Sequence, residues 1–89
     1  MPSEVALRAK TQRSLIDLLH TELELGSAFA QSASRAKGSG HREDYVQAKQ
    51  HAVKAADAVR RFMGRVTDDV IRTDIGKKLA ELDRFISTL

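Results

Sequence analysis

The chain has 89 residues, fifteen Lys and Arg against twelve Asp and Glu, and no cysteine. That length makes one domain, residues 1–89, with a modest core. The missing cysteine excludes a disulfide framework, a thiolate nucleophile and a cysteine metal site, and no run approaches the roughly 18 apolar residues of a membrane span.

Charge is unevenly distributed. Residues 1–36 carry four basic and four acidic side chains, residues 37–66 seven against three, and residues 67–89 four against five. The positive excess therefore sits on the middle segment. Glu4, Arg8, Lys10 and Arg13 interrupt the N-terminal apolar residues, so this region does not read as a secretory signal, and a cytoplasmic location is expected.

The first helix is predicted over about 4–36. Ser3, after Pro2, can cap it, and Glu4 suits the positive end of the helix dipole. Its apolar stripe is weak before Thr11 and broad from Leu15 to Phe29. Gly26 lies inside that stripe and costs roughly 1 kcal/mol relative to Ala. Close approach of another backbone would compensate. Lys37-Gly38-Ser39-Gly40 is the clear break, and its shortness predicts an antiparallel hairpin. No Gly-Lys-Ser/Thr follows these glycines, so they are a turn rather than a phosphate loop.

The second helix is predicted over about 42–66. Tyr45, Ala48, Ala52, Ala55, Val59, Phe62 and Val66 recur at steps of three and four, which places them on one face. The alanines predict a close helix crossing. A second apolar line, Val46, Val53, Ala56 and Met63, asks for a second neighbour and makes this the central helix. Thr67-Asp68-Asp69 reads as a fresh start capped by Thr67, with a kinked continuation as the alternative. The third helix, about 68–87, has the seam Ile75, Leu79, Leu82, Ile86 and Leu89. The fold class is all-α, an antiparallel three-helix bundle.

Catalytic and metal signatures are sparse. Asp17 and His20 stand at the carboxylate–histidine spacing of di-metal bundles, but that spacing occurs once and needs further ligands. A solvated helix face is the better account. His41 reads as an exposed residue near a helix start, and His51 as a boundary residue. No triad can be assigned. The expectation is no enzyme, no cofactor and no metal.

Leu25-Gly26-Ser27-Ala28-Phe29 resembles the first-helix pattern of a tetratricopeptide repeat. Asp44-Tyr45-Val46-Gln47-Ala48, with Lys54-Ala55, is similar to the second-helix pattern. The stretch between Gly26 and Ala48 is about ten residues longer than a 34-residue repeat allows, and no proline closes the unit. Similar long hairpins occur in microtubule-interacting-and-transport domains. The resemblance implies architecture only, with no clamp residues carried over.

The function read from the sequence is a non-catalytic protein-interaction or self-association module. Its partner is another protein or a second copy in a homodimer, with no membrane. Leu18, Leu25, Met63 and Phe85 sit beside the simplest seams, and surplus apolar surface marks partner sites. The candidate partner-binding residues are Arg60, Arg61, Arg65, Phe85 and Leu89. Phe85 and Leu89 are expected to extend past the hairpin and form the two-fold interface. The alternative is a small nucleic-acid-binding protein using the basic face of the middle helix. Tyr45 and the phenylalanines are expected in the core rather than free to stack on bases, and no binding is expected at physiological salt.

Overall fold

A computed structural model describes the backbone from Glu4 to Leu89 and side chains from Lys10 onward. The Ser3 cap and the side chains of Val5 and Leu7 lie outside the described residues. Helix α1 spans Glu4–Ser39, α2 spans Arg42–Phe62, and α3 spans Asp69–Ser87, with a 3-10 turn at Met63–Arg65. No strand occurs among the described residues. The chain is an all-α three-helix bundle.

α1 ends three residues later than the sequence pattern predicts. Gly38 and Ser39 stay helical, and only Gly40 uses the left-handed region, at φ 76°. The His41 N–H donates to the Ala36 carbonyl at 2.9 Å and the Gly40 N–H to the Lys37 carbonyl at 3.3 Å. This crossed pair is a Schellman ending, which satisfies carbonyls that the stopped helix would otherwise orphan. The chain reverses there, so α2 runs antiparallel to α1.

α2 stops at Phe62, earlier than the expected residue 66. The backbone tightens through Met63–Arg65 and then extends at Val66, with φ −73° and ψ 121°. Val66 remains the last member of the seam, since its side chain is buried, but it reaches the core from an extended link. Between turn and kink, the structure has a turn. The cap of α3 is Asp68 rather than Thr67: its carboxylate accepts from the Ile71 N–H at 3.0 Å. Such a cap is worth about 1 kcal/mol. Thr67 is held elsewhere, by Gln12. Arg72 steadies the link by donating from Nη1 to the Val66 carbonyl at 2.8 Å.

α3 returns antiparallel to α2 and alongside α1. Two sets of polar contacts show this. At one end the Gln12 amide oxygen accepts from the Thr67 N–H at 3.0 Å and from its hydroxyl at 3.3 Å, while its Nε2 donates to the Arg65 carbonyl at 2.9 Å. At the other end Lys37 Nζ donates to the Leu89 main-chain oxygen at 3.0 Å, and the Tyr45 hydroxyl donates to the same oxygen. The 36 residues of α1 span about 54 Å at 1.5 Å each, close to the 57 Å long axis of the molecule. α2 is about 31 Å long, so the first turns of α1 continue past the α2–α3 link.

The core is aliphatic and small. Leu19, Ala30, Ala52, Val59, Val66 and Ile75 are essentially closed to solvent. Fully burying a residue such as Leu19 or Ile75 contributes about 1.5–3 kcal/mol. The three helices meet at Gly26. A Cβ there would lie 2.7 Å from Leu82 Cδ2 and 3.2 Å from the Ala55 Cβ. The glycine in the stripe of α1 thus faces the alanine seam of α2, with a leucine of α3 over both. The second apolar line of α2 is only partly used. Ala56 is buried and Met63 half-buried, but Val46 and Val53 remain exposed. α3 rests on both α1 and α2, so no single helix is the centre.

Candidate functional site

The candidate residues fall on three separate sides of the bundle. Arg60 and Arg61 are neighbours in sequence, and the helix turns them about 100° apart. Arg60 faces α3. Its Nη2 donates to both Asp83 carboxylate oxygens, at 2.8 and 2.7 Å, and its Nη1 to Asp57 at 3.1 Å. The hydrogen bonds to Asp83, then to Asp57, favour the charged form and raise the Arg60 pKa above its ordinary value. The side chain is half exposed, so solvent screens the pair, and its main effect is to hold α2 against α3.

Arg61 and Arg65 lie on another side of α2. Their guanidinium carbons sit 5.6 and 5.0 Å from the centre of the Phe62 ring, within cation–π range. Neither pairs with an acid among the described residues. On the same flank, the His51 ring stacks on Phe29 at 4.8 Å between centroids. Phe29 and Phe62 are half-buried and packed against the core. Leu18 and Leu25, seven residues apart and so on one face of α1, are 51% and 45% exposed beside them. This is the α1–α2 face that α3 does not cover.

Phe85 lies on the opposite flank. It is 39% exposed and lines an open groove of about 410 Å³ between α1 and α3. Leu23 and Leu82 form its floor, and His20, Glu24 and Glu81 stand on its walls. His20 is half-buried there, while Asp17 is exposed. Among the described residues, no three His, Asp or Glu side chains converge in a way that would hold a metal ion. Leu89 is not on this groove surface. It is half-buried, packs against the core, and is tied through its main-chain oxygen to Tyr45 and Lys37.

The five candidate residues therefore do not form one site. Arg61 and Arg65 join the Leu18–Leu25 face, Phe85 belongs to the groove, and Arg60 and Leu89 are engaged inside the fold. His41 begins α2 and is exposed, with no side-chain cap bond. Tyr45 is half-buried rather than free, with Lys49 Nζ 5.7 Å from its ring centre. Sequence reasoning missed Gln12, whose amide bridges the α2–α3 link. A lone glutamine on a helix carries no periodic or motif signal. Comparison with protein-family models, with curated proteins and with solved structures finds no match. No helix among the described residues is long and apolar enough to cross a membrane.

Proposed function

We propose that this chain is a non-catalytic module that works by binding another helical surface, in a partner protein or in a second copy of itself. The observation that carries this reading is the surplus of large apolar side chains outside the core. Leu18 and Leu25 on α1, Val46 and Val53 on α2, and Phe85 on α3 are all more than a third exposed. Two of these sets are spaced by seven residues, which makes stripes rather than scattered single residues. Apolar stripes rimmed by charge are the surfaces that bind partners.

The nucleic-acid alternative draws on Arg61 and Arg65, which have no acidic partner. It draws little on Arg60, which is committed to Asp57 and Asp83. Phe62, the nearest aromatic, has both guanidinium groups against its ring and packs against the core.

Photo-crosslinking in the native host tests the reading. A photoreactive side chain is placed in turn at positions 18, 25, 53 and 85, with position 77 as a polar control. Discrete protein adducts from one stripe and none from position 77 are expected. No adduct from any stripe would refute the reading. So would a complex with a DNA or RNA pool whose affinity falls steeply with salt.

A further inference from the structure

We infer that the uncovered α1–α2 face is closed by a second copy of this chain, related by a two-fold axis parallel to the bundle. The inference rests on the reading of the chain as a binding module and names its partner. The apolar centre of the face is Leu18 and Leu25, with the half-buried rings of Phe29 and Phe62 between the helices. Its two edges carry the information about what covers it.

The edge on α1 holds Asp17 in its first half and Arg35 in its second. They are about five whole turns apart and so project to the same side. The edge on α2 holds Glu43 near its start and Arg61 and Arg65 near its end, and Glu43 and Arg61 are again about five turns apart. All five are exposed, and none has an ion-pair partner in its own chain among the described residues. Lys54, also exposed and without an ion-pair partner among the described residues, lies on the α2 edge too, so that edge runs from negative at Glu43 to positive at Lys54, Arg61 and Arg65, and the α1 edge from negative at Asp17 to positive at Arg35.

The Phe29–His51 stack and the contact of Gly26 with Ala55 show which residues of the antiparallel pair lie level. By that register Asp17 is level with the stretch from Arg61 to Arg65, and Arg35 is level with the first turn of α2. A two-fold axis along the bundle keeps height and exchanges the edges. The α1 edge of one copy then faces the α2 edge of the other at the same height. Asp17 meets the partner's Arg61 and Arg65, and Arg35 meets the partner's Glu43, each contact occurring twice. Lys54 falls level with Gly26, between Glu24 and Ala28, and meets no like charge. A two-fold axis across the bundle, at the level of Gly26 and Lys54, would instead set α2 on α2, pair Asp17 with the partner's Arg35 and Arg65 with the partner's Glu43, and bring the two Lys54 side chains together at the axis. The charge pattern favours the first arrangement, since like-charge juxtaposition is what excludes a wrong docking mode.

The area is sufficient for a reversible dimer. A face about 31 Å long and about 20 Å wide offers roughly 600 Å² per copy, near the lower bound of specific interfaces. A dissociation constant in the micromolar range is expected for it.

Charge exchange tests the proposal. Asp17→Arg alone, and Arg61→Asp with Arg65→Asp alone, place like charges across both contacts. Both variants keep a folded helical core because every changed residue is exposed; circular dichroism checks this. Sedimentation velocity should show the wild type in a monomer–dimer equilibrium and each variant weakened about tenfold or more. Mixing the two variants should restore the dimer as a heterodimer, because both contacts then pair opposite charges. Three results would overturn the proposal: a wild type that stays monomeric at millimolar concentration, variants that dimerise like the wild type, or a mixture that does not recover. If the wild type is monomeric but position 18 or 25 crosslinks to another protein, the binding-module reading survives and the second copy is excluded. If the charge variants dimerise normally while Phe85→Glu does not, the dimer lies on the α1–α3 groove and this face is excluded.

Discussion

Gly26→Ala and Gly38→Ala are the same chemical change in the same helix, and the structure gives them opposite signs. Alanine gains about 1 kcal/mol over glycine in a helix interior, mostly from backbone entropy. At Gly38 a new Cβ meets nothing within 4 Å, so the gain is retained, reduced somewhat by its place in the last turn of α1. At Gly26 the new Cβ would lie 2.7 Å from Leu82 Cδ2 and 3.2 Å from the Ala55 Cβ. Leu82 Cδ2 is the end of a side chain on the floor of the open groove and can turn aside at the cost of its buried packing, but the Ala55 Cβ is rigidly attached to the α2 backbone. Relief of the Ala55 contact therefore requires α1 and α2 to separate by a few tenths of an ångström. Overpacking of this kind costs about 1–3 kcal/mol. The net expectation is destabilisation of about 1 kcal/mol at Gly26 and stabilisation of up to about 1 kcal/mol at Gly38. For a domain of this size, 1 kcal/mol moves the melting temperature by about 4–8 °C. Thermal unfolding by circular dichroism at equal protein concentration reads both changes. If Gly26→Ala raises the melting temperature as much as Gly38→Ala, the three-helix crossing is not where the structure puts it.

Two further substitutions probe the seam and the link. Ala52 is closed to solvent, so Ala52→Leu should cost about 1–3 kcal/mol through strain and lower the urea midpoint, whereas Ala28→Leu, on the exposed side of α1, should leave it nearly unchanged. Gln12→Ala removes the acceptor for Thr67 and the donor to Arg65, and should cost about 1 kcal/mol; amide exchange should rise first at Thr67 and its neighbours, and unchanged protection there would discount the bridge.

The sequence by itself determined that the chain is helical, where it reverses, and which residues face inward. A helix repeats every 3.6 residues, so the spacing of Ala48, Ala52, Ala55 and Val59 already states their common side. The glycine in the stripe of α1 and the alanines in α2 were legible as close-approach positions for the same reason, since small size is a local property. Element ends were legible only approximately. Whether Thr67 or Asp68 caps α3 depends on a neighbour distant in sequence, Gln12, which holds Thr67.

Tertiary structure alone decided the fate of the surplus. Periodicity shows that Val46, Val53, Leu18, Leu25 and Phe85 lie off the main seams, but not which of them another helix covers. Likewise Arg60, Arg61 and Arg65 read as one basic group. In the fold Arg60 turns to Asp83 on α3 while Arg61 and Arg65 rest on Phe62. The physical reason is that a repeat along one helix encodes direction, whereas a partner is supplied by another helix whose position depends on all the packing at once.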